Sequence, residues 1–263
     1  MRSDGTDMKQ RLFIATFSEN AIAEIRENRL NIEFDQLCIS ENLNKEHIEK
    51  TLSDMRQDWK DSGAPKAIVH GPYTELNPSS IDSRALKLTR DRYEEAYQVC
   101  RRLGVNRMVV HSGFIPHLYY RGWHKEKSVA FWKSYMVDKP ENFQLLIENV
   151  FEDDPYLIKS ITEEINDERV RICLDTGHVN VSSEKNYDVL YWIRELGELI
   201  GHMHIHNNYG EKDEHGSISA GNINMEKVIA FTDKYSGRDV SLTIESRTCH
   251  DSIRWMQEKF HFK

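Results

Sequence analysis

Cysteine is scarce, with four residues in 263, at positions 38, 100, 173 and 249, and no C-x-x-C pair among them. Such spacing excludes a small disulfide framework and a zinc-ribbon type of site. It reads as reduced thiols in a reducing compartment, with the cytoplasm as the default. Six prolines and thirteen glycines are too few and too scattered to form a linker. The chain therefore reads as one domain, a length that α/β barrels commonly reach. A glycine-rich phosphate cradle of the Walker or dinucleotide type is also missing. No apolar run approaches the roughly 20 residues needed to cross a membrane. The opening segment 1–10 is polar and lacks a signal-peptide core, so it reads as a frayed tail ahead of a folded domain at 11–263. Basic excess is absent too: 35 Lys and Arg face 43 Asp and Glu, a formal charge of -8, which gives no overall attraction to nucleic acid or an anionic membrane.

What the chain does have is a repeated form, a short apolar run that ends abruptly in a histidine or carboxylate. Six segments share it: Ala67-Ile-Val-His70, Arg107-Met-Val-Val-His111, Gln144-Leu-Leu-Ile-Glu148, Arg171-Ile-Cys-Leu-Asp175, His202-Met-His204-Ile-His206 and Ser241-Leu-Thr-Ile-Glu245. Continuous apolar runs of this length are the mark of parallel strands buried on both faces. Strands are expected at 12–16 and 31–37, then ending at His70, His111, Glu148, Asp175, Ile205 and Glu245. Between them, helical periodicity and capping residues predict helices at 20–27, 44–61 (capped by Asn44), 79–103, 125–137, 155–166, 187–196, 225–235 and 251–259. An aromatic-rich loop is expected at 112–124.

Eight βα units imply a single-domain (β/α)8 TIM barrel, whose strand carboxyl ends lie on one face and carry the active site. The polar strand ends therefore converge. Alternation along β-structure places His202, His204 and His206 on one side and Met203 and Ile205 on the other. Taken singly, a His at a strand end is commonly a hydrogen-bonded rim residue, and Asp175 could simply cap the turn at Thr176-Gly177. Taken together, clustered carboxylates and imidazoles at a barrel mouth are costly without a cation, so a divalent metal is expected. Imidazole and carboxylate donors suit Zn or Mn first.

At these residues the chain resembles the xylose-isomerase-like TIM-barrel superfamily, which includes sugar phosphate isomerases, epimerases and the endonuclease IV type of abasic-site nuclease. The carriers are His70-Gly-Pro-Tyr73, His111-Ser-Gly, Glu148-Asn-Val, Leu174-Asp-Thr-Gly-His178, His204-Ile-His-Asn, Asp213-Glu-His215 with Ala220-Gly-Asn-Ile223, and Ile244-Glu-Ser. The resemblance implies that Glu148, Asp175, His204 and Glu245 hold the metal common to the isomerases. Its nuclease branch adds His70 and His111 for a second ion, and His178, Asp213 and His215 for a third. One to three ions per chain are thus implied.

Two functions follow. In isomerisation or epimerisation of a sugar or sugar phosphate, Glu148 and Glu245 would move the proton and a metal would stabilise the enediolate. Phe114, Tyr119, Tyr120 and Trp123 would be sugar-stacking surfaces, Tyr73 a further substrate contact, Asn149, His206 and Asn207 either ligand-orienting residues or substrate contacts, and Arg121 or Arg247 a partner for a phosphate. In phosphoester hydrolysis, a metal cluster would generate hydroxide. The acidic residues expected around the mouth disfavour a duplex partner, which needs Lys and Arg around the site. A small carbohydrate is the preferred partner.

Overall fold

The computed structural model describes residues 5–262. Eight parallel strands close into a barrel in simple sequential order, with β1 pairing both β2 and β8. A short helix α1 (Gly5–Arg11) leads into β1 (Leu12–Ala15), followed by α2 (Ala21–Asn28), β2 (Asn31–Phe34), α3 (Ile48–Ser62) and β3 (Ala67–His70). Next come α4 (Ser83–Leu103), β4 (Arg107–His111), α5 (Arg121–Met136), β5 (Gln144–Glu148), α6 (Tyr156–Ile165) and β6 (Val170–Asp175). The chain ends with α7 (Thr176–Ser182), α8 (Val189–Leu196), β7 (Ile200–Ile205), α9 (Met225–Tyr235), β8 (Ser241–Ile244) and α10 (His250–Phe260). The expected TIM barrel is thus the observed fold. No helix among the described residues is long and apolar enough to cross a membrane. The four cysteines are free.

Alternate residues along each strand face two different environments. Leu145 and Ile147, Ile172 and Leu174, and Met203 and Ile205 pack outward under the helices, in the large core. Phe13, Ile68, Val109, Leu146 and Cys173 fill the barrel interior. His70, His111, Glu148 and Asp175 stand two residues beyond these interior side chains, hence one layer higher at the mouth.

Four local expectations change. Residues 5–10, read as part of a tail, begin α1, whose Met8 is buried; residues 1–4 of that tail lie outside the described residues. Helix α3 starts at Ile48 rather than Asn44, because a 3-10 turn at Ser40–Leu43 occupies the approach and the Asn44 side chain accepts from Arg92. Helix α4 starts at Ser83, where Asp82 accepts from the Arg84 and Ala85 amides at 2.7 and 3.2 Å. Such a cap outcompetes Ser79, whose hydroxyl is held by Asn77 and His124. The loop after β4 is shorter than expected, because α5 already includes Arg121 to His124.

Candidate metal centre

His204, on β7, is the centre of the site. Its Nε2 lies 3.0 Å from Glu33 Oε1 on β2, and its Nδ1 is buried without a hydrogen bond. That nitrogen faces three carboxylates: Glu148 Oε1 at 3.4 Å, Glu245 Oε1 at 3.4 Å and Asp175 Oδ2 at 4.0 Å. A buried imidazole nitrogen with no partner, set among three buried carboxylates, is the donor arrangement of a cation site. The oxygen and nitrogen donors fit Zn or Mn. Burial alone would lower the His204 pKa, but Cys173, Glu245, Glu148 and Glu33 together raise it well above the ordinary histidine value. The cluster thus favours a positive charge at this point.

Two more donor groups adjoin the first. His70 Nε2 lies 3.1 Å from Glu148 Oε2, and His111 Nε2 lies 3.5 Å from the same oxygen. Burial pushes His111 down to about 3, which leaves its ring neutral and able to donate a lone pair. Tyr73 stacks on that ring, with centroids 4.0 Å apart. On the other side, Asp213 Oδ2 lies 3.3 Å from His178 Nε2 and 3.0 Å from His215 Nε2. His206 stacks on His215 at 4.0 Å and approaches Asp175 Oδ1 at 3.1 Å. His178, His206, Asp213 and His215 offer atoms close enough for one ion, as do His70, His111 and Glu148, and Glu148, Asp175 and His204. All nine residues expected as ligands are therefore together, and His206, expected as a substrate contact, lies among them.

Asp175 does cap the turn that follows it. Its side chain accepts the His178 amide at 2.6 Å and caps α7. His178 Nδ1 in turn lies 2.9 Å from the Asn149 carbonyl and 3.3 Å from Glu148 Oε1. Gly177 is required beneath His206, because a Cβ there would sit 1.9 Å from the imidazole.

The two glutamates beside His204 are shifted in opposite directions by their surroundings. Burial would raise Glu148, but His204 and His178 hold it well below the usual carboxylate range. Burial raises Glu245 to about 8; Glu148 and Asp175 add to the rise, while His204 and His215 oppose it.

Above the donors lies a cavity of about 650 Å³, lined by Tyr73 and Arg247 as expected, and also by Phe17, Ile39, Val150 and Phe151. The other expected stacking residues are elsewhere. Phe114 is buried against His124, Tyr120 is exposed to solvent, and Trp123 donates from Nε1 to the Ser79 carbonyl. Tyr119 packs beside His124, and all four fall outside the lining because β4 is followed by a chain that turns away into α5. Asn207 also serves the scaffold, with its amide donating to the Ile218 and Ile223 carbonyls. Residues not anticipated at the site are Glu33 under His204, and Asp35 and Cys38 in the cavity wall. A carboxylate inside the apolar strand Asn31–Phe34 was the available signal for Glu33. Glu152, expected among the acidic residues of the rim, is instead buried and hydrogen-bonded to Ser112 and the Val150 amide.

A family model described as xylose isomerase-like TIM barrel matches residues 30–261. A Metamycoplasma arthritidis protein named probable endonuclease 4 is 24% identical over 231 residues, covering 79% of this chain and 78% of its own. A solved D-tagatose 3-epimerase-like protein superposes with a TM-score of 0.74 at 23% identity, covering 96% of this chain and 97% of its own. A Thermus thermophilus protein soaked with zinc chloride gives 0.72 at 22% identity, covering 96% and 98%.

Proposed function

Because the chain belongs to the xylose isomerase-like TIM-barrel family, we propose that it is a divalent-metal-dependent isomerase or epimerase of a small carbohydrate. Glu148 and Glu245 carry the proposal: two buried carboxyls face the same imidazole nitrogen, each at 3.4 Å. Two carboxyls that flank one site can take up and return a proton in turn. Glu148, Asp175, His204 and Glu245 would hold the ion, whose bound charge would acidify the carbon next to a carbonyl. Glu148 removes that proton, and Glu245 returns one to the same carbon or its neighbour. Phe17, Tyr73 and Phe151 cover the reacting atoms from water, and Arg247 meets a polar or anionic end of the substrate. The D-tagatose 3-epimerase-like neighbour supports the carbohydrate class, and the zinc-soaked neighbour supports zinc as the ion.

Turnover of a panel of ketoses, aldoses and their phosphates in deuterated water, with Zn or Mn added, tests the chemistry. The expected product carries deuterium on the reacting carbon. Turnover that leaves every carbon free of deuterium rules out an enediolate route open to solvent.

A second reading, multinuclear phosphoester hydrolysis, is favoured by the donor groups around His70 with His111 and around Asp213 with His215, and by the likeness to the probable endonuclease 4. Against a duplex substrate, Arg121 is held by Asp153 and Asp154, Lys125 by Glu164 and Lys127 by Glu126. Arg247 remains as the cation lining the cavity.

A further inference from the structure

β7 carries two histidines, two residues apart, that meet the same carboxylate in the barrel interior. Glu33 Oε1 lies 3.0 Å from His204 Nε2, and Glu33 Oε2 lies 3.1 Å from His202 Nε2. Thr243 also donates its hydroxyl to Glu33 Oε2. All of these residues are fully buried. An ionised carboxylate only accepts, so both rings must present an Nε2 proton to it.

A neutral ring with its proton on Nε2 has a bare Nδ1. The two rings differ in what that nitrogen meets. His202 Nδ1 lies 2.6 Å from Ser241 Oγ, and Ser241 Oγ accepts from Arg107 Nη1 at 2.8 Å. A guanidinium only donates, so the chain of donors runs from Arg107 through Ser241 and His202 to Glu33. His204 Nδ1 has no such partner and faces Glu148, Asp175 and Glu245 instead.

We propose that Glu33 is a positioning residue that holds His204 with its proton on Nε2 and its Nδ1 lone pair aimed at the metal site. His202, Ser241, Thr243 and Arg107 anchor Glu33 from below. This rests on the metal site proposed above. A carboxylate behind a histidine ligand fixes the ring and raises its basicity, and losing one commonly costs tenfold or more in metal affinity. Glutamine at this position is the same size, but it turns an NH2 group toward one of the two rings, which then cannot donate to it.

Zinc affinity, measured by competition with a chromophoric chelator, is the first readout. Glu33→Gln is expected to bind zinc about 10- to 100-fold more weakly, while Ser241→Ala, which touches His202 and not His204, shifts by less than about threefold. Unchanged affinity in Glu33→Gln, or an equal loss in both variants, overturns the proposal. The second readout needs no variant at Glu33. In zinc-loaded wild type, long-range ¹H–¹⁵N correlation should show His204 with Nε2 protonated and Nδ1 metal-bound; the reverse assignment overturns the proposal. His204→Ala separates the two levels. Loss of zinc in it, with normal affinity in Glu33→Gln, removes the role of Glu33 and leaves the metal site intact. Normal zinc affinity in His204→Ala removes both.

Discussion

Asp175 Oδ1 accepts the His178 amide at 2.6 Å while Oδ2 lies 4.0 Å from His204 Nδ1, so one side chain both caps α7 and faces the candidate metal centre. Substitution tests both roles. Asparagine keeps a capping oxygen and loses the charge, whereas alanine loses both. Asp175→Asn, which keeps an oxygen for both the amide and the ion, should therefore bind metal only somewhat more weakly and unfold close to the metal-free wild type. Asp175→Ala should lose metal and about 1 kcal/mol more stability. Metal analysis and denaturation of the metal-free proteins check this, and retained metal in Asp175→Ala would misplace the ligand.

Glu148→Gln and Glu245→Gln should keep most of the bound metal and lose nearly all turnover, since the amide offers an oxygen but no base or acid. A fall in metal content matching the fall in rate would instead make these residues ligands alone.

Metal removal should destabilise the fold. An ion bound to the folded chain adds stability by mass action, about 2.7 kcal/mol at a hundredfold excess over its dissociation constant. A chelator should lower the melting temperature, and His204→Ala should abolish that response. If more than one ion binds, His215→Ala should reduce the count by one and leave the His204 site filled. Two or three ions in wild type would favour the hydrolase.

Abasic duplex DNA should neither bind at physiological salt nor be incised with Zn or Mn added, because Arg121, Lys125 and Lys127 are already paired. Incision that disappears in both His70→Ala and His215→Ala would reverse the order of the two functions.

His124 supplies a pH dependence away from the metal. Its ring is buried, with Nδ1 2.7 Å from Ser79 Oγ and Nε2 3.3 Å from Ser128 Oγ, and burial pushes its pKa down to about 4. A folded value below the unfolded one means stability that is complete above about pH 6.5 and lost as pH falls toward 4. Metal-free wild type should lose about 2–3 kcal/mol to this group between pH 7 and 4.5. In His124→Gln that part of the slope should vanish, as denaturant titrations at the two pH values would show.

The eight-unit barrel and the converging strand ends were legible in the amino-acid sequence because strands buried on both faces leave uninterrupted apolar runs. A histidine or carboxylate at the end of such a run stands out against its neighbours. His70, His111, Glu148, Asp175, His204 and Glu245 are all of that kind, and each depends only on its own strand for its position. Glu33 was not legible. Its role exists only once the barrel closes and brings β2 opposite β7, 171 residues later in the chain. The alternation from His202 to His206 was legible, but the irregularity ahead of it was a tertiary outcome. That irregularity, in the pairing of β7 with β6, lets Ile200 and Met203 both face the outer core while His202 and His204 point inward. Gly201 permits it, since a Cβ there would lie 2.7 Å from Arg171 Cβ. The aromatic loop misled for the same reason: composition reports that Phe114, Tyr120 and Trp123 are large and apolar, but the direction of the chain after β4 decides what they cover. Local pattern is written in neighbouring residues, whereas a partner across the barrel is decided only by closure.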